Sequence, residues 1–332
     1  MSLVSKVIVT GAAGQDGLIL SNKLSKLGVE VLGVVRNEQQ AQIFQKYIPE
    51  ASVKNFDSSD SGKIESLLKD FKPNQIYHLS SKSSVANSWV ESEATLMTNV
   101  FQTLNWLNCL KKLKMQDTRF YQASSSEMFG LPPESPQTES TVLHPRSPYG
   151  VSKVAAHHLV VNYRESFGQF ASTGILFNHE SPLRAPSFVT RKITKGVAEI
   201  AHNISSKITL GNLDISRDWG WAPDYVDGMI SILNHETPDD FILATGISHT
   251  LRDFISTAFA RIGISDWSKY VDVDQSLLRP ADVFNVVGNN QKAKVKLNWQ
   301  PRMKFESIVW EMVDFDLTLI ENPTKAPYWK LP

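Results

Sequence analysis

Between residues 4 and 177, short apolar runs rich in β-branched residues alternate with longer stretches whose apolar positions recur every three or four residues. The short runs are Val4 to Thr10, Val29 to Val35, Ser52 to Phe56, Gln75 to Leu79, Arg119 to Gln122 and Thr173 to Phe177. Gln15 to Leu27, Gly62 to Phe71, Glu93 to Leu113 and Gly150 to Phe167 have the length and spacing of helices. Strand–helix alternation of this kind predicts repeated βα units around a buried parallel sheet, hence an α/β fold. Five prolines between Leu131 and Pro148 predict a long loop over the sheet's edge. Beyond residue 178 the alternation weakens, although Phe241 to Thr245 reads as one more strand returning to the sheet.

Composition narrows the class. A chain of 332 residues, 42% hydrophobic, can bury a large core as one domain or two closely packed ones. Lysine and arginine number 34 against 34 aspartate and glutamate, so no charge bias calls for nucleic acid or an anionic membrane. An anionic ligand must then be held by local geometry. Cys109 is the only cysteine, which excludes an internal disulfide framework. The start of the chain enters a strand-like run with no charged, apolar leader, so a cytoplasmic location is expected. No run approaches the roughly 20 apolar residues that a membrane span requires. There is no repeat of 20 to 50 residues and no low-complexity tract.

Thr10-Gly11-Ala12-Ala13-Gly14-Gln15-Asp16-Gly17 closes the first predicted strand and opens the first predicted helix. That is the setting of a dinucleotide fingerprint. Gly11 allows the sharp turn, Gly14 lets backbone amides reach a pyrophosphate, and Gly17 lets helix and strand pack closely. The bland alternative is three glycines that merely build a turn. The expected fold is therefore a Rossmann-like doubly wound parallel sheet with a smaller C-terminal α/β substrate-binding domain. The expected division is residues 1–177 for the dinucleotide, with a segment near 218–248 returning to it, and 178–332 mainly as a cap over the substrate.

Where an acidic residue would bind the ribose hydroxyls of NAD, the second strand ends in Arg36, with no carboxylate before Glu38. A guanidinium suits a 2′-phosphate, so NADP is the expected cofactor; an isolated surface arginine is the alternative. Topology places Asp57, past the third strand, near the adenine. It also places Leu79 and Ser80, in His78-Leu79-Ser80-Ser81, where the diphosphate passes.

Tyr149 and Lys153 stand four apart at a helix start and so project from one face. A phenol titrates near 10, and an adjacent ammonium together with a nicotinamide cation would bring it into the range of a general base. Ser124-Ser125-Ser126-Glu127 closes the preceding strand at the carboxyl edge, where open α/β sheets hold ligands. His179 has no second ligand at metal spacing, and no metal is expected.

With these residues in place, the chain resembles the GDP-mannose 4,6-dehydratases over essentially its full length. The matching runs are Thr-Gly-x-x-Gly-Gln-Asp-Gly at 10–17, Phe-Tyr-Gln-Ala-Ser-x-Ser-Glu at 120–127 and Pro-Arg-Ser-Pro-Tyr-Gly-Val-x-Lys at 145–153. Further along come Gly-Ile-Leu-Phe-Asn-His-Glu-Ser-Pro-Leu-Arg at 174–184, Phe-Val-Thr-Arg-Lys at 188–192, and Gly-Asn-Leu-Asp followed by Arg-Asp-Trp-Gly at 211–220. The Phe-Asn-His-Glu-Ser-Pro run is far more specific than the fingerprint. The resemblance implies that Tyr149 deprotonates the sugar 4-hydroxyl while hydride leaves C4, with Lys153 tuning it and Ser125 bonding the same oxygen. It implies that Glu127 then removes the acidified C5 proton and assists loss of the C6 hydroxyl, after which hydride returns to C6. It further implies that His179 and Arg184 lie near the cofactor, and that Asn178, Lys192, Arg217 and Arg279 hold the GDP moiety, with Ser83 lining the sugar pocket.

The chain departs from the family pattern at several points. Asn37-Glu38-Gln39-Gln40 runs straight into a helix where the family carries a second arginine and a longer loop, so a homodimer is expected and a homotetramer is the alternative. Lys82 replaces a glutamine, Ser125 a threonine, and Asp282 a glutamate. The Lys82-to-Val85 segment resembles reductases of GDP-4-keto-6-deoxymannose, which keeps such a reductase or an epimerase, or a GDP-heptose substrate, as rival readings. A non-enzymatic NADP-binding regulator is the rival from another class.

Overall fold

In a computed structural model, residues 4–277, 281, 283, 285–322 and 329–332 are described. The first half runs β1 (Lys6–Thr10), α1 (Gln15–Lys26), β2 (Glu30–Val35), α2 (Glu38–Tyr47), β3 (Ser52–Asn55), α3 (Ser61–Phe71) and β4 (Gln75–His78). Two short helices follow, α4 (Val85–Val90) and α5 (Ser92–Leu96), then a π turn at Met97–Phe101 and α6 (Gln102–Lys112). Next come β5 (Arg119–Ser125), a 3-10 turn at Ser126–Met128, α7 (Pro148–Phe167) and β6 (Ala171–Leu176). The remainder runs β7 (Asn178–Glu180), α8 (Val189–Ala201), β8 (Ile208–Leu210), β9 (Ser216–Arg217), β10 (Trp219–Trp221), α9 (Ala222–Asn234) and β11 (Asp240–Leu243). It closes with β12 (His249–Thr250), α10 (Leu251–Arg261), β13 (Val271–Val273), β14 (Asn285–Val286), α11 (Gln291–Leu297) and α12 (Phe305–Glu321).

Seven strands form one parallel sheet in the order β11-β6-β5-β4-β1-β2-β3. Alternate residues of its strands serve two different cores. Val7 and Val9 of β1, Tyr77 of β4 and Tyr121 of β5 join the apolar cluster that holds Leu18 and Leu24 of α1, Phe44 of α2 and Met229 of α9. Ile8, Ile76 and Phe120, one position along, join the cluster of α3, α6 and α7, with Leu68, Trp106, Leu110 and Val160. Side chains alternate across a strand, so an apolar run with no polar positions must be covered on both faces, and helices cover both here. This is the doubly wound arrangement that the alternation predicts. The larger cluster continues without a break from Val7 through α8, α10 and α12 to Leu331.

The strand Phe241 to Thr245 does return: β11 pairs in parallel with β6 at the sheet edge. The stretch from Leu131 to Pro148 is a loop, and it reaches the second half through bridges such as Gln137 to Gly288. The single helix expected over Glu93 to Leu113 is instead broken into α5, the π turn and α6. The π turn carries buried Asn99, which accepts from Ser81 Oγ (3.1 Å) and Lys82 N (2.8 Å) and donates to Lys82 O (3.2 Å) and Ser152 Oγ (2.9 Å). Widening the helix by one residue lets this side chain tie the loop after β4 to α7, a long-range demand that periodicity does not carry. Among the described residues no helix is long and apolar enough to cross a membrane.

Candidate active site

The strand order reverses between β1 and β4, so their carboxyl ends part and open a crevice where open α/β sheets bind ligands. Gly11 turns there with φ +66°, and a Cβ on it would stand 2.9 Å from Leu79 C and Ser80 N. At Gly17 a Cβ would lie 2.5 Å from Gly11 O and 2.7 Å from Ala12 Cα, so the helix seats on the turn only without a side chain. Gly14 is the N-cap of α1 and supplies no side-chain cap, which leaves the first amides of a twelve-residue helix for an anion. The ends of β1 and β4 are joined by Thr10 Oγ1 to His78 Nδ1 (2.8 Å) and by Ser80 N to Thr10 Oγ1 (3.2 Å). Gly17→Ala is expected to cost about 1–3 kcal/mol by overpacking. A urea melt, with dinucleotide binding alongside, checks it.

A cavity of about 490 Å³ opens from this crevice. Its walls include Gly11, Gly14, Gln15, Asp16, Gly17, Arg36, Leu79, Ser80, Ser83, Ser125, Glu127, Tyr149, Lys153, Asn178, His179, Arg184, Lys192 and Arg217. Residues more than 200 positions apart in sequence, such as Gly11 and Arg217, converge there. Asp57 is not among the wall residues: it is exposed, and its Oδ1 accepts from Ser59 N (2.8 Å) and Gln102 Nε2 (3.0 Å). Its neighbours Phe56 and Ser58 line the cavity instead. Lys82 is also absent from the wall because its ammonium pairs with Glu91. Arg279 and Asp282 lie outside the described residues.

Ser147, Pro148 and Gly150 start α7: Ser147 Oγ accepts from Gly150 N at 3.0 Å and proline takes the first turn, where its missing N–H costs nothing. This cap fixes Tyr149 and Lys153 on the face toward β5. Tyr149 is hydrogen-bonded to Ser125, whose Oγ also accepts from Glu127 N at 3.3 Å. Burial pushes the Tyr149 phenol up to about 12; Ser125 lowers it, the Glu127 carboxylate raises it and Arg184 lowers it. Burial likewise pushes Lys153 down to about 8, and its ammonium donates to Ala123 O at 2.8 Å. The buried phenol thus lies above its usual value, and a positive charge bound in the cavity would lower it.

His179 is committed on both nitrogens, Nδ1 to Phe177 O (2.7 Å) and Nε2 to Asp16 Oδ2 (2.9 Å), and its ring stacks on Tyr225. A carbonyl and a carboxylate both require donors, so the ring is an imidazolium. Burial opposes its charge, but Asp16 outweighs burial and raises the His179 pKa; burial likewise opposes ionisation of Asp16, and His179, Gln15 and Arg184 outweigh it. Gln15 adds Nε2 to His179 O (3.1 Å) and accepts from Ser181 Oγ (2.8 Å). His179 thus joins the first turn of α1 to β7, and its polar atoms are not available to a ligand.

Sequence reasoning passed over Glu180, Thr190 and Gln40, which also form the wall. Glu180 carried a legible signal, the one carboxylate in the run at 174–184 that resembles the family. Gln40 carried none, since its Oε1 reaches back to Arg36 N (3.1 Å) only once α2 is formed.

A family model described as GDP-mannose 4,6 dehydratase matches residues 8–312. The chain belongs to this family. GDP-mannose 4,6 dehydratase 1 of Arabidopsis thaliana is 41% identical over 328 residues, covering 95% of this chain and 90% of the relative. Among solved structures, UDP-glucuronic acid 4-epimerase from Bacillus cereus, in complex with UDP-glucuronic acid and NAD, aligns with a TM-score of 0.83 at 21% identity. That alignment covers 95% of this chain and 99% of the epimerase. RMD from Pseudomonas aeruginosa, complexed with NADPH, aligns with a TM-score of 0.80 at 21% identity over 95% and 98% of the two chains. These two likenesses establish that the GDP-mannose 4,6-dehydratase family member shares their fold.

Proposed function

We propose that the protein is a GDP-mannose 4,6-dehydratase that converts GDP-mannose to GDP-4-keto-6-deoxymannose with NADP as a recycled cofactor. The observation that carries this reading is the place of Glu127: a carboxylate in the same cavity as the Tyr149–Ser125 pair and electrostatically coupled to the phenol. An epimerase or reductase needs the phenol, hydroxyl and ammonium; elimination of water needs a carboxylate as well. The glycine cradle and the uncapped start of α1 fit a dinucleotide, and neighbours of the same fold are complexed with NAD or NADPH. Arg36, exposed on the cavity wall where NAD enzymes place a carboxylate, favours NADP.

When bound, the nicotinamide supplies a hydride acceptor and then a hydride donor. Tyr149 takes the proton of the 4-hydroxyl as C4 is oxidised, and Ser125 holds the same oxygen. Lys153, fixed on Ala123 O, sets its charge behind the phenol. The resulting ketone acidifies the C5 hydrogen. Glu127 removes that proton and delivers one to the departing C6 hydroxyl, so water leaves; the hydride taken from C4 would return to C6 and a proton to C5, which completes the reduction at C6. Asn178, Lys192 and Arg217 on the wall are assigned to the GDP moiety, and Ser83 to the sugar. Elements after residue 178, apart from α9 and β11, which return to the main sheet, act mainly as the substrate cap. Met97 and Phe101 on the π turn and Val151 on α7 are exposed apolar side chains on the two helical segments assigned to a homodimer contact, and the protein is assigned to the cytoplasm.

Incubation of the purified protein with GDP-mannose and catalytic NADP, followed by mass spectrometry, tests the reading. A product lighter by one water without accumulating NADPH is expected. Unchanged GDP-mannose under conditions where the protein binds NADP would overturn it.

A further inference from the structure

We infer that Glu180 is a positioning residue that holds Arg184 as a clamp for a diphosphate group in the cavity. The inference rests on the reading of the cavity as a dinucleotide and nucleotide-sugar site. Glu180 ends β7 with a side chain only 1% exposed, and its Oε2 accepts from Thr190 Oγ1 at 2.7 Å in the first turn of α8. The same oxygen lies 3.3 Å from Arg184 Nε, which is buried and makes no well-aligned hydrogen bond. Above it, the guanidinium carbon sits 3.7 Å from the centre of the Phe188 ring. One edge of the guanidinium is therefore held by a carboxylate and one face by an aromatic ring.

Its other edge is left to the cavity. Among the described residues neither Nη of Arg184 has a hydrogen-bond partner, and Arg184 forms part of the wall. Its charge is felt by Asp16 in the first turn of α1 and by Tyr149, so it lies within electrostatic reach of both the helix N-terminus and the phenol. A fork of N–H groups in a cavity that also holds the positive end of a helix has the chemistry of a diphosphate clamp. A carboxylate so deeply buried is costly unless its partner is fixed, and fixing the partner is what it does here. Glu180 has no place in the proton transfers above.

The cavity admits two diphosphates, that of the dinucleotide and that of the sugar nucleotide, and titration separates them. NADPH and GDP are titrated separately against the wild type, Glu180→Gln, Arg184→Ala and the double variant. Glu180→Gln is expected to weaken one of the two ligands by about tenfold or more, in line with loss of the buried ion pair that holds the guanidinium, and to leave the other within about twofold. In the double variant the loss should be no greater than for Arg184→Ala alone, because Glu180 acts through Arg184. Losses that multiply in the double variant, or unchanged dissociation constants for both ligands, would overturn the inference while the wild type still binds. A wild type that binds neither ligand would instead remove the functional reading and this inference with it. Should Glu180→Gln not fold, Glu180→Asp keeps the charge on a shorter arm and is held to the same expectation and the same refutation.

Discussion

Tyr149→Phe is expected to lower kcat by roughly two to four orders of magnitude while leaving dinucleotide affinity and thermal stability close to the wild type. Removing the hydroxyl removes the group that takes the proton from O4, and the ring itself still fills its buried place against Lys153. Steady-state turnover of GDP-mannose, with NADPH titration as the control for an intact site, measures the effect. A variant that turns over within about tenfold of the wild type would remove Tyr149 from the chemistry. That same outcome is the one a regulator that merely binds NADP predicts, so the experiment also decides between an enzyme and a sensor.

Glu127→Gln is expected to abolish overall dehydration by a comparable factor, yet for a different reason. The amide keeps the size of the side chain and the Glu127 N to Ser125 Oγ bond, so oxidation at C4 should persist. Reduced nicotinamide should then accumulate to at most one equivalent per site in a single turnover, with no loss of water. Exchange of the C5 hydrogen with deuterated solvent should stop in this variant. If exchange continued at the wild-type rate, another group would be the C5 base. Together the two variants place the phenol and the carboxylate on successive steps, since only the first should prevent any change in the cofactor.

Much of this could be read along the chain because the signals are local. The glycine fingerprint, the Ser-Pro start of α7 and the i, i+4 spacing of Tyr149 and Lys153 depend on backbone geometry and helical pitch, which act within a few residues. The pattern of apolar runs could also be read, because strands covered on both faces have to be apolar throughout. Where the expectation for a helix at Glu93 to Leu113 departed from the structure, the cause lies elsewhere in the fold: Asn99 is drawn inward by the loop after β4 and by Ser152, some fifty positions on.

The sequence by itself determined the α/β class and the dinucleotide turn, and it brought out Tyr149 and Lys153 as candidates through helical spacing and Ser125 and Glu127 through the family resemblance. Only the tertiary structure decided what those residues meet. It turned Lys82 toward Glu91 and left Asp57 outside the cavity wall. It spent both nitrogens of His179 on Phe177 and Asp16, and it set Glu180 beneath Arg184. Burial and long-range electrostatics govern these outcomes, and both depend on which distant segments are brought together, a quantity that no local pattern of side chains encodes.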